Sequence, residues 1–146
     1  MTFTNHVLTG TVAAKFLPLP VAIPLAILSH FVLDAAPHFG YENHLAAKRH
    51  KKVWVAVLLL DIVLGTLLVW WLIESGHTNW LLVGLLAYAP DIPWIYRFTV
   101  EEKFGKLDPT PGNKLLQFHA NIQKYERPWG FFVELFYGLA LYWLLT

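Results

Sequence analysis

Cysteine is absent from all 146 residues. That removes disulfide staples, thiolate nucleophiles and Cys-ligated zinc sites at once. Charge is also scarce: 14% of residues are Asp, Glu, Lys or Arg, against about a quarter in ordinary soluble domains. The formal net charge is +1, so no basic surface suited to nucleic acid is expected. Met1–His6 carries no basic n-region of the kind that opens a secretory signal, and is read as part of the mature fold. No internal repeat and no low-complexity tract occurs. Any metal would have to be held by His, Asp or Glu.

Apolar residues dominate instead: 56% hydrophobic and 16% aromatic, with mean hydropathy +0.46. The length suits one domain. The pattern predicts an all-α polytopic integral membrane bundle, with four to five membrane-embedded helices and an interfacial amphipathic helix. Residues 1–38 read as a proline-broken hairpin, because Pro18 and Pro20 remove backbone donors and disfavour helix just before them. Its arms fall near residues 4–16 and 21–36. Spanning helices are expected over 53–74, 80–97 and 129–145, flanked by Trp54, Trp70 and Trp71 as interfacial anchors. Residues 98–128 form a polar segment. Within it, Asp108–Asn113 signals a turn, and Leu115, Phe118, Ile122 and Tyr125 make one apolar stripe between Lys114 and Arg127.

Both loops rich in Lys and Arg flank the same ends of these spans, whereas Glu74–Asn79 contains neither. The positive-inside rule then places the basic loops in the cytoplasm of a bacterial or archaeal cell and the C-terminus outside. Membrane lipid is the expected surrounding.

The ionisable residues inside these apolar stretches are the candidate site. His30, Asp34 and His38 follow one another at four-residue spacing, about 6 Å per step along one face of a helix. Asp61, Asp91 and Glu134 are expected at the same cytoplasmic depth on three other helices, with His119 and Glu126 on the interfacial helix. His6 joins them if the chain turns back at Pro18–Pro20. Ionisable groups inside a membrane need partners, so their convergence reads as function.

His30 and Asp34 can grip one divalent ion, while His38 lies about 12 Å from His30 along an ideal helix, too far to share it. Asp91 and His119 can complete a set of N and O ligands suited to zinc or manganese. The metal candidates are therefore His6, His30, Asp34, Asp91 and His119. Glu126, Glu134, His38 and Asp61 are candidates for acid–base catalysis or for orienting the imidazoles. Arg97 and Arg127 are candidates for binding a phosphate. The substrate expected is an amphiphilic small molecule. The competing reading is a proton- or ion-coupled transporter or channel subunit using the same groups. Each group also has a plainer role: a buried hydrogen-bond ladder, a helix cap, or a partner for Lys15 or Arg127. His44, His50 and His77 read as ordinary loop residues.

Asn5-His6-Val7-Leu8-Thr9-Gly10, the Ser29-His30…Asp34…Pro37-His38 stretch and Pro90-Asp91 resemble the bacterial inner-membrane metal-dependent hydrolase family. The resemblance implies a helical membrane domain with a metal held by His and Asp. The chain departs from that family where Ile92-Pro93 follow Asp91 in place of a second acidic ligand.

Overall fold

The computed structural model describes residues 1–41, 49–96, 114–123 and 125–146. The chain is mostly helical: α1 (Phe3–Phe16), α2 (Leu19–Asp34), α3 (Lys51–Glu74), α4 (Thr78–Tyr88), α5 (Ile92–Tyr96), α6 (Lys114–Ile122) and α7 (Gly130–Leu145). A 3-10 turn, Ala89–Asp91, joins α4 to α5, and two-residue strands β1 (His38–Phe39) and β2 (Glu126–Arg127) pair in parallel. The all-α expectation holds.

Length and apolarity single out one helix. α3 runs for 24 residues and can cross a membrane on both counts. The other long helices have 11 to 16 residues, short of the roughly 20 a span requires. Among the described residues one helix, not four to five, is long and apolar enough to span. The shortening has local causes: Pro18 and Pro37 close the first two helices, and Pro90 breaks the span expected over 80–97 into α4, a 3-10 turn and α5. The interfacial helix also ends early, at Ile122, and Glu126–Arg127 leave it for the strand pair. The expected turn at 108–113 lies outside the described residues.

α1 is the hub. It packs against α2, α3, α4 and α7, while α3 and α7 flank it without packing closely on each other. Its closest neighbour is α4, and small residues permit the approach: a Cβ on Gly10 would meet the Val83 carbonyl oxygen at 2.6 Å and Gly84 Cα at 2.8 Å. Val7, Leu8, Leu68, Leu72, Leu141 and Leu145 form one apolar cluster around this helix. Ala14, Ala22, Ala26, Val83 and Ala87 form another, where the hairpin meets α4. By contrast, Leu59, Ile62, Val63 and Leu67 of α3 are each at least half exposed.

The start of α1 is half-buried, and its first amides have no carbonyl a turn behind them. Thr2, at the cap, makes no side-chain cap. Two carboxylates from other helices do the work. Asp61 of α3 accepts from the Phe3 and Thr4 amides, both at 2.9 Å, and its own carbonyl accepts from Thr4 Oγ1 at 3.0 Å. Glu134 of α7 accepts from the Thr2 amide at 2.9 Å and the Phe39 amide at 2.8 Å. Their negative charge also suits the positive end of the helix dipole. At the other end, Lys15 Nζ donates to the Leu144 and Leu145 carbonyls that close α7.

Two stability outcomes are expected in detergent-solubilised protein. Asp61→Ala leaves two half-buried amides without their acceptor and should cost about 1–3 kcal/mol in all, with Asp61→Asn recovering part of the loss through its remaining oxygen. Gly10→Ala forces α1 and α4 apart and should cost about 1–3 kcal/mol. Chemical denaturation monitored by circular dichroism measures both.

Candidate metal centre

Asp34 is the last residue of α2 and is fully buried. Burial alone disfavours a charged carboxylate, so it needs donors or a cation. They come from four directions. Met1 donates its terminal ammonium to Oδ1 at 2.6 Å, and His6 Nε2 of α1 lies 3.2 Å from the same oxygen. On the other side, His119 Nε2 and Gln123 Nε2 approach Oδ2 at 2.6 and 3.0 Å, and His30 Nε2 at 3.3 Å. Asp91, at the end of the 3-10 turn, brings Oδ1 to 3.6 Å from both His30 Nε2 and His119 Nε2.

The imidazoles are held by their other sides. His30 Nδ1 lies 2.9 Å from the Ala87 carbonyl oxygen. A carbonyl can only accept, so Nδ1 carries a proton and the ring turns its Nε2 into the cluster. A backbone carbonyl in that position is a usual orienting partner of a metal-binding histidine. His6 stacks on His30 with ring centroids 4.1 Å apart, and Phe31 meets the His30 and His119 rings edge-on. His6 Nδ1 is buried without a hydrogen-bond partner among the described residues.

These residues fit a metal ion. His6, His30, Asp34 and Asp91 each offer one ligand atom, and the four atoms lie within 4.8 Å of one another. His30 Nε2 and His119 Nε2 are 3.2 Å apart. Ligands about 2.0–2.1 Å from a tetrahedral ion stand about 3.4 Å from each other. His30 Nε2 stands 3.2, 3.3 and 3.6 Å from His119, Asp34 and Asp91, near that value, whereas His119 Nε2 and Asp34 Oδ2, 2.6 Å apart, are at hydrogen-bond distance. Ring nitrogens and carboxylate oxygens thus face a common point, where protons or a cation must sit between them.

The other sequence candidates stand elsewhere. His38 is not on a ridge with His30 and Asp34, because Pro37 disfavours helix at Ala36 and α2 has already ended at Asp34. Instead its Nδ1 donates to the Ala36 carbonyl at 2.8 Å, and its Nε2 faces Glu126 Oε1 at 3.8 Å across the strand pair. Asp61 and Glu134 hold the start of α1. Arg127 Nη1 donates to the Glu126 carbonyl at 2.7 Å. Arg97 lies outside the described residues. His50 stacks on Tyr41 and His77 on Trp80.

Gln123 was not foreseen as a member of the site. It follows His119 by one helical turn, donates to Asp34 and lies 3.2 Å from His119 Nε2. Four-residue spacing from a candidate histidine was the signal that could have found it.

The class this defines is an all-α protein with one helix able to cross a membrane and a buried His/Asp group able to hold a metal ion. No protein-family model, curated protein or solved structure matches the chain.

After incubation with zinc or manganese and desalting, the wild type should retain a stoichiometric ion by elemental analysis. Asp34→Asn and His30→Ala should lose it, and His77→Ala should keep it. Gln123→Leu, which removes an outer partner of two ligands, should weaken metal affinity about 10- to 100-fold.

Proposed function

We propose that this chain is a membrane-embedded, metal-dependent hydrolase acting on an amphiphilic, phosphate-containing substrate at the cytoplasmic interface. The observation that carries the reading is the buried group His6, His30, Asp34 and Asp91, whose ligand atoms lie within 4.8 Å of one another, with His119 Nε2 3.2 Å from His30 Nε2. The resemblance to bacterial inner-membrane metal-dependent hydrolases supports it. So does the exposed apolar surface of α3, which would be costly in water and is at home in lipid. The shorter helices then sit around α3 as partly embedded segments, with Lys51 and Lys52 at its cytoplasmic end.

Zinc or manganese held there supplies Lewis-acid polarisation of a phosphoryl oxygen. The protein's own groups do the rest. Asp91 is the most exposed ligand, with a side chain 18% accessible, and marks the side from which substrate approaches. Ala87 and Gln123 keep His30, His119 and Asp34 aimed inward. The facing pair His38 and Glu126 supplies the general acid or base. Arg127, beside Glu126, offers a fork-shaped donor for phosphate.

A panel of lipid-like and soluble phosphoesters tests the proposal. Turnover should require added divalent metal and fall about 100-fold or more in Asp34→Asn. Turnover that survives chelation, or metal-dependent cation flux in proteoliposomes with no hydrolysis, overturns it in favour of an unrelated activity or of transport.

A further inference from the structure

A second site lies on the opposite flank of α1. α3 and α7 stand apart on either side of that helix and leave a cavity of about 440 Å³ between them. That is within the range of about 300–1,000 Å³ typical of small-ligand sites. Its long walls are apolar: Leu60, Leu64 and Leu67 from α3 face Leu135, Leu139 and Tyr142 from α7, with Trp71 among the lining.

One part of the lining is different. Thr2, Thr4 and Asn5 of α1 contribute polar groups there, together with Asp61 and Glu134. These two carboxylates are the charged side chains among the described residues that line the cavity, and no Lys, Arg or His accompanies them. Backbone amides bond each oxygen of both groups, and Asn5 Nδ2 also donates to Glu134 Oε2 at 3.4 Å; a carboxylate has capacity for about four hydrogen bonds, so acceptor sites remain on both. The half-charge of one helix start does not neutralise two carboxylates. An excess of negative charge therefore remains, and an anionic headgroup would be repelled.

We propose that this cavity binds a single-chain amphiphile with an ammonium headgroup, its chain between α3 and α7 and its head beside Asp61 and Glu134. The volume has room for one alkyl chain, and the charge selects its head. Residues 1–4 lie between this site and the metal centre: Met1 reaches Asp34, while Thr2, Phe3 and Thr4 reach Glu134 and Asp61. Binding here needs no metal, so it stands or falls independently of the hydrolase reading.

The test uses the full chain in phosphatidylcholine nanodiscs with chelator present. Bromododecylamine and bromododecanoate are compared as quenchers of Trp71 fluorescence, with Trp71→Phe giving the contribution of the other tryptophans. The amine should quench saturably and bind about tenfold more tightly than the carboxylate, the strength of a charge-assisted contact. Asp61→Asn with Glu134→Gln removes both charges while keeping one acceptor oxygen at each position, and should close most of that gap. Leu64→Phe with Leu139→Phe fills the cavity and should abolish the saturable component. Equal binding of the two heads by the wild type overturns the proposal. So does amine binding that both double variants leave unchanged, which would mean adsorption to the apolar perimeter.

Discussion

A fully buried carboxylate in an apolar hairpin is the constraint around which the molecule is arranged. Asp34 ends a helix otherwise composed of aliphatic residues, prolines, one serine, one histidine and one phenylalanine. Leaving it alone there would cost several kcal/mol. The fold meets this by bringing donors to one point: the Met1 ammonium, His6 of α1, and His119 and Gln123 of α6. α1 can reach because glycine and alanine at its contact with α4 allow two backbones to approach closely.

The buried carboxylates divide by what they face. Asp34 meets imidazole nitrogens, and rings that can offer lone pairs make a place for a cation. Asp61 and Glu134 meet backbone amides, which can only donate, and so act first as caps for the start of α1. Those same caps bind α3 and α7 to α1 without requiring the two to touch each other. The separation between α3 and α7 follows, and with it the cavity and its negative lining.

Several parts of this were legible in the chain itself. The break at Pro18 was visible because proline acts on its immediate neighbours. The pairing of His30 with Asp34 was visible because four-residue spacing on a helix is a local property. The limits of that locality show at His38, where the same spacing continued past Pro37 and no longer meant a common face. They show again at Asp61 and Glu134, where depth along a helix was readable but the direction of the side chain was not. Gln123 carried the right spacing from His119, but an amide draws attention only when its acceptor is in view.

The sequence by itself determined the helices, their proline stops, the apolar character of α3 and the absence of any thiol chemistry. Each depends on composition or on neighbours within one or two turns. Tertiary structure alone decided which acids cap a helix and which join histidines. It also decided how α1, α3 and α7 leave a cavity between them. Those outcomes depend on hydrogen bonds between residues up to 132 positions apart, and neither composition nor spacing encodes the direction from which such a partner arrives.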